Sequence, residues 1–258
     1  MPNTEHLSGA GLLLPLTEEG HEPPLFLIPA AGSIPFSLAR LARALSPKSS
    51  VYSFTFAGME DNLTPHTSIE EMASTYVAEV KTIQQTGPYY LGGYCFGGIP
   101  AFEMAAQLER EGENVAVVIP IESFPPQRKK PEKQKEDHTD GQRGPPVSPT
   151  QAHDADTSIT KQIDRQLSRI PTALRELHEE FTRRHLQMED DYRATPIKAP
   201  IVEVRSSTYP RRLFEGWTAL TIGGYTDRVV PVDTDSMLDP TNVAILCTEL
   251  RVIVDHFH

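Results

Sequence analysis

Cysteine is almost missing: the chain has two, Cys95 and Cys247. One pair cannot build a disulfide framework, and no Cys/His spacing of the metal-binding kind is present. No metal and no bound cofactor are therefore expected. No apolar run reaches the ~18 residues of a membrane span, and no basic segment followed by an apolar one opens the chain. The expected setting is soluble, reducing and cytoplasmic, away from membranes. Basic residues are outnumbered, with 24 Lys and Arg against 35 Asp and Glu, for a formal net charge of −11. That balance excludes non-specific binding to nucleic acid or an anionic membrane, but not a protein partner. Only 38% of residues are hydrophobic, and the mean hydropathy is −0.36. Both are low for a compact enzyme, so some stretch of the 258 residues should lack a core. No internal repeat is visible.

What is present centres on Gly92-Gly93-Tyr94-Cys95-Phe96-Gly97-Gly98. An apolar run, Tyr89-Tyr90-Leu91, precedes it, and a helical pattern from Ile99 to Glu111 follows. Strand, Gly-rich turn and helix are the context of a nucleophile elbow. Gly93 and Gly97 stand two before and two after Cys95, where a side chain would strike the neighbouring strand or helix. The motif is Gly-x-Cys-x-Gly, with Cys where Ser is usual. At a helix N-terminus the thiol's pKa should fall and its nucleophilicity at neutral pH should rise. The plainer reading is a small packing residue between two structural glycines.

In chain order, residues 1–22 read as a polar arm with a short strand at Gly11–Leu16. Leu25–Ile28 is a strand apolar on both faces and stops at Pro29-Ala30-Ala31-Gly32-Ser33. A helix with Phe36, Leu38, Leu41 and Leu45 on its inner stripe follows, then a strand at Val51–Phe56. Ser68 caps a helix whose inner face is Met72, Tyr76, Val80 and Ile83. Asn114 leads into the strand Val115–Ile121, which ends at Glu122. Alternating strands and helices with continuously apolar strands imply a mostly parallel sheet with helices on both faces. Chemistry in such sheets gathers at the C-terminal strand ends, which singles out Ala30 to Gly32, Cys95 and Glu122. From Gln127 to Ser158 the composition turns to Lys, Pro, Asp, Gln and Gly, and the stretch should be mobile, with Arg128-Lys129-Lys130 a solvated run. Ile159–Asp191 is helical in composition and, with residues 127–158, should form a flexible linker plus helical lid. Strands return at Ile201–Arg205 and Tyr225–Val232. The last helix turns Val243, Leu246, Leu250 and Ile253 inward, with Cys247 as a packing thiol.

These residues resemble a known family. Pro24-Leu25-Phe26-Leu27, Pro29-Ala30-Ala31-Gly32-Ser33, Gly87 through Gly98 and Ala101-Phe102-Glu103-Met104-Ala105 resemble the type I thioesterases. Those are α/β-hydrolase domains that release chains from nonribosomal peptide, polyketide and fatty-acid synthases. Gly216-Trp217, Ser236-Met237-Leu238 and Pro240 extend the resemblance, which covers about residues 24–121 and 201–255. It implies an α/β-hydrolase domain over residues 23–258, with 127–191 as the lid insertion. It puts the nucleophile on Cys95 and the oxyanion donors on the backbone N–H of Phe96 and of Ala30 or its neighbour. The acid falls on Glu122, where the family has Asp. The base position falls on Thr234, where the family has His. The resemblance implies a substrate presented on the phosphopantetheine arm of an acyl or peptidyl carrier protein.

Of the nine histidines, His256 and His258 follow the terminal helix, roughly 20 Å from its start at ~1.5 Å per residue. His178 and His185 lie on the lid and reach the site if it folds over. Glu122, one methylene longer than Asp, has the reach to approach Cys95. A serine hydroxyl needs a base to attack a thioester, whereas a thiolate does not, so an elbow Cys and a missing His belong together. Release to water needs a base worth ~10²–10⁴-fold, whereas a thiol or amine acceptor needs less. Acyl transfer to a thiol or amine, or cyclisation, is therefore favoured over hydrolysis. The alternatives are an ordinary hydrolytic thioesterase with a displaced base, a non-catalytic binding protein on the same fold, and a hydrolase-fold lyase or cyclase.

Overall fold

The computed structural model describes residues 11–128 and 172–258, apart from positions 19, 21, 47, 60–62 and 210. Its centre is a 7-stranded sheet. The strands are β1 (Leu13–Thr17), β2 (Glu22–Ile28), β3 (Ser49–Phe54), β4 (Tyr89–Tyr94), β5 (Val115–Ile121), β8 (Ile201–Ser206) and β9 (Tyr225–Val230). Their order is β1-β3-β2-β4-β5-β8-β9. Neighbours are parallel from β3 to β9, and only the edge strand β1 runs antiparallel, against β3. The short strand expected near residue 11 is thus part of the sheet, while residues 1–10 lie outside the described residues.

The helices are α1 (Ala39–Leu45), α2 (Ile69–Ile83), α3 (Gly98–Arg110), α4 (Thr172–Asp191) and α5 (Val243–Phe257). Strand side chains alternate between two apolar layers, as the period of two demands. Phe26, Ile28 and Leu91 join one layer with α2 and α3. Leu25, Leu27 and Tyr90 join the other with α1 and α5. Both faces are covered, which is why the central strands read as unbroken apolar runs. Helix α2 begins as expected: the Ser68 Oγ accepts from the Glu71 N–H at 3.1 Å, and the Glu71 carboxylate accepts from the Thr67 N–H at 2.8 Å.

Two expected core residues lie outside it. Phe36 is 61% exposed and Ile83 48%. Phe36 belongs to a 3-10 turn, Pro35–Leu38, ahead of α1. Three residues per turn put it out of phase with the α-helical stripe of Leu41 and Leu45. Ile83 is the final residue of its helix.

The insertion leaves and re-enters the domain at one place. Gln127–Arg128 (β6) pairs in parallel with Arg193–Ala194 (β7). At its first two residues, Gln127 and Arg128, the expected mobile stretch is instead this paired strand; its remainder, 129–158, and the first part of the expected lid, 159–171, fall outside the described residues. The rest of the expected lid is α4. It buries Phe181, His185 and Met188 against the domain, and Tyr192, just past its end, is buried as well.

Candidate active site

The C-terminal ends of β2, β4, β5 and β8 converge on one edge of the sheet. At the end of β4, Cys95 has φ 54°, a left-handed backbone that a non-glycine residue rarely adopts. The chain then turns through a 3-10 segment, Cys95–Gly97, straight into α3. A Cβ at Gly93 would fall on the carbonyl of Gly97, and one at Gly97 on the carbonyl of Ile28. The elbow is thus closed by two backbone approaches that only glycine permits. The backbone N–H of Phe96 is bonded to the Cys95 sulfur. The Phe96 ring is buried, with His185 of α4 stacked on it.

Glu122, at the end of β5, is also left-handed, with φ 50°. Its N–H donates to the Val204 carbonyl at 2.8 Å. Trp217 steadies the loop that follows, donating from Nε1 to the Ser123 carbonyl at 2.9 Å and packing on Phe102. The Glu122 carboxylate accepts from the Ser206 N–H, from the Ser206 hydroxyl at 3.2 Å, and from Thr234. The Ser206 and Thr234 hydroxyls are themselves 2.7 Å apart. Burial raises the Glu122 pKa, and these hydrogen bonds oppose the rise. Glu122 and Thr234, the positions that the resemblance matches to the family's acid and base, therefore meet, with a threonine hydroxyl at the second. The expectation that Glu122 reaches for Cys95 is not met, because its hydrogen bonds hold it on Ser206 and Thr234.

The loop after β2 carries Ala30, whose carbonyl accepts from the Ser33 N–H at 3.0 Å in a tight turn. Helix α4 is docked on this loop. The Gly32 N–H donates to His185 Nδ1 at 3.1 Å. The Gly32 carbonyl pairs with His178 Nδ1, and the Thr182 hydroxyl donates to the Ala31 carbonyl at 3.4 Å. The His185 ring stacks on Phe96 with centroids 4.7 Å apart and planes 9° apart, and lies 4.1 Å from the Phe56 ring. Burial pushes the His185 pKa down to about 3. His185 is thus a neutral docking group whose Nδ1 is already engaged, and not a strong base.

The thiol departs from expectation. Cys95 keeps some accessible surface, yet its pKa is pushed up to about 12. Desolvation is the main cause, followed by the negative charge of Glu189, while the Phe96 N–H pulls the other way and Glu122 adds a smaller push. The helix N-terminus does not outweigh burial and two carboxylates. Glu189 was invisible in the sequence because it sits in a run of acids, Glu189-Asp190-Asp191. Its spacing of four from His185 was the available signal. Cys247 is the packing thiol expected: buried, with its sulfur donating to the Ala44 carbonyl at 3.0 Å.

A thioesterase-domain family model matches residues 23–224. The chain belongs to the thioesterase domain family. This thioesterase is similar to malpinin synthetase of Mortierella alpina, 37% identical over 107 residues, covering 42% of this chain and 1% of that protein. It is similar also to a probable non-canonical nonribosomal peptide synthetase, CymA, of Salinispora arenicola. There the identity is 41% over 116 residues, covering 44% of this chain and 2% of that one. The chain thus spans only a few hundredths of these relatives' length. The NocB thioesterase domain from the nocardicin cluster superposes with a TM-score of 0.75 at 17% identity, covering 95% of this chain and 99% of that one. The α/β-hydrolase fold and the membership of an enzyme family are thereby established. Among the described residues no helix is long and apolar enough to cross a membrane.

Proposed function

We propose that this thioesterase takes an acyl group from a carrier-protein thioester onto Cys95 and passes it to a thiol, an amine or a nucleophile within the chain in preference to water. The observation that carries the reading is the strained elbow: Cys95 at φ 54° with the Phe96 N–H on its sulfur. A thioester carbonyl bound there would place its oxygen toward the N–H groups of Phe96 and Ala30. Each donor to a developing oxyanion is worth roughly 3 kcal/mol. Loading exchanges one thioester for another and is close to isoenergetic. Transfer is favoured over hydrolysis because Thr234 cannot accept a proton from water, and Glu122 is tied to Ser206 and Thr234. The similarity to nonribosomal peptide synthetases supports a carrier protein as the donor, presenting the acyl group on its phosphopantetheine arm, so the protein itself needs no cofactor. The test is to load the protein from an acyl-pantetheine thioester and offer it water, a small thiol and a small amine. Faster discharge by thiol or amine supports the reading, and discharge by water at an equal rate refutes it.

A further inference from the structure

Helix α4 and the loop after β2 meet through one face of the helix. His178, Thr182 and His185, at spacings of four and three, all reach the turn Ala30–Ser33. Gly32 is held by both of its polar groups. Its N–H donates to His185 Nδ1 at 3.1 Å, and its carbonyl accepts from His178 Nδ1. The Thr182 hydroxyl, bonded to the His178 carbonyl at 2.8 Å, also faces the Ala31 carbonyl at 3.4 Å. The two backbones are close as well: a Cβ at Gly32, where φ is 63°, would strike the Thr182 hydroxyl and the His178 carbonyl. Strand β2 ends at Ile28, and Pro29 has no N–H to extend its ladder, so the loop takes its ties from elsewhere. Within the turn the Ser33 N–H goes to the Ala30 carbonyl and the Gly32 N–H to His185. Among the described residues no hydrogen bond takes the N–H of Ala30. His185 also reaches the elbow. Its ring lies on that of Phe96, centroids 4.7 Å apart and planes 9° apart, and Phe56 and Phe181 pack on it too. One side chain thus touches both segments that carry the proposed oxyanion donors.

We propose that His185 is a positioning residue that sets the spacing between the backbone N–H groups of Phe96 and Ala30, so that α4 completes the oxyanion site of Cys95. The proposal rests on the acyl-transfer reading, in which those two groups receive the thioester oxygen. The Phe96 N–H is placed by the elbow itself, where Gly93 and Gly97 lock the turn through close backbone approaches. The Ala30 N–H is placed by a turn outside the sheet, and its distance from the elbow depends on what that turn is fastened to. His185 fastens it two residues on, at Gly32, and seats it against the Phe96 ring. His178 closes the clamp from the other side of the same peptide unit, so the loop follows α4. Donors to an oxyanion act over about 2.7–3.1 Å, and a displacement of ~1 Å costs ~10²-fold in rate. His185 moves no proton in this role. It serves loading and discharge alike, and it leaves the choice between water and other acceptors to Thr234 and Glu122.

His185→Phe and His185→Gln separate positioning from packing. Phe keeps a ring against Phe96 but offers Gly32 no acceptor, whereas Gln keeps an acceptor. Two reactions of Cys95 are followed in the full chain. Acyl loading from an acyl-pantetheine thioester is read by intact-protein mass spectrometry, and alkylation by iodoacetamide is read on the Cys95 peptide. Alkylation is a displacement at saturated carbon and builds no oxyanion, so it reports the thiol alone. His185→Phe should load ~10²-fold more slowly at saturating thioester, while the half-saturating concentration and the alkylation rate stay within about threefold of wild type. His185→Gln should recover most of the loading. Gly32→Ala, whose Cβ meets Thr182 and the His178 carbonyl from the loop side, should show the same split as Phe, so the test does not hang on one variant's folding. The assignment is overturned if His185→Phe loads as fast as wild type, if loading and alkylation fall together, or if the Gln variant is no faster than the Phe variant. A wild type that is alkylated but never loads overturns the acyl-transfer reading itself, and the role of His185 with it.

Discussion

Acidification should weaken the hold of His185 on the Ala30–Gly32 loop. The His185 ring is packed among Phe56, Phe96 and Phe181 and accepts the Gly32 N–H through its bare Nδ1. Protonation would turn that acceptor into a donor facing another donor, and would put a charge among aromatic rings near Arg184 and His66. The docked ring has its pKa near 3, whereas a free ring keeps the ordinary 6.5. The undocked state therefore binds the proton better. The docking contribution is intact above pH 6.5 and is lost as pH falls toward 3. The full difference is about 5 kcal/mol, and about 2 kcal/mol of it is gone by pH 5, a shift of roughly 30-fold toward undocking. Glu189 opposes this by nearly the same amount: its carboxyl sits at about 7 when docked against the ordinary 4.5, so docking gains about 2 kcal/mol as pH falls from 7 to 5. His185→Gln separates the two: the Gln carbonyl can still accept from Gly32 but does not titrate. Hydrogen exchange of the α4 amides, corrected for intrinsic rates, should show nearly equal protection at pH 7 and pH 5 in wild type, where the two groups cancel, and protection rising toward pH 5 in the variant, where Glu189 acts alone. The same pH dependence in both proteins refutes the reasoning.

Other outcomes follow from the same geometry. Thr234→His puts an imidazole beside Glu122, so hydrolysis should rise at least ~10-fold relative to transfer, measured as free acid against acyl acceptor product. An unchanged ratio would show that Glu122 does not orient the ring. Gly97→Ala drives a Cβ into the Ile28 carbonyl and should lower stability by about 1–3 kcal/mol or more in urea titration. A wild-type unfolding midpoint would mean the elbow has room to spare.

The sheet and the elbow were legible in the sequence because both are local. Strand runs such as Leu25–Ile28 announce burial on two faces, and Gly93 and Gly97 flank Cys95 at fixed offsets. Thr234 came from counting along a resembling family, and the structure places its hydroxyl beside Ser206 and Glu122. The thiol's pKa was misjudged because a sequence displays the helix N-terminus but not the burial that opposes it. Glu189 and the docking role of His185 escaped for a related reason. Both depend on how the helix Thr172–Asp191, far along the chain from Cys95, lies over the elbow, a distant contact that periodicity cannot encode. Phe36 misled because a 3-10 turn begins where an α-helix was expected.

The central claim is that Cys95 holds the acyl group. The direct measurement is intact-protein mass spectrometry with peptide mapping after a brief exposure to an acyl-pantetheine thioester, comparing wild type with Cys95→Ala and Cys95→Ser. The account predicts a gain of one acyl group on the peptide containing Cys95 and no gain in the Ala variant. The Ser variant should show almost none, because a hydroxyl needs a base to attack and Thr234, at the position matched to the family's His, cannot supply one. An acyl group found on another residue, or a Cys95→Ser variant that loads as fast as wild type, would contradict it.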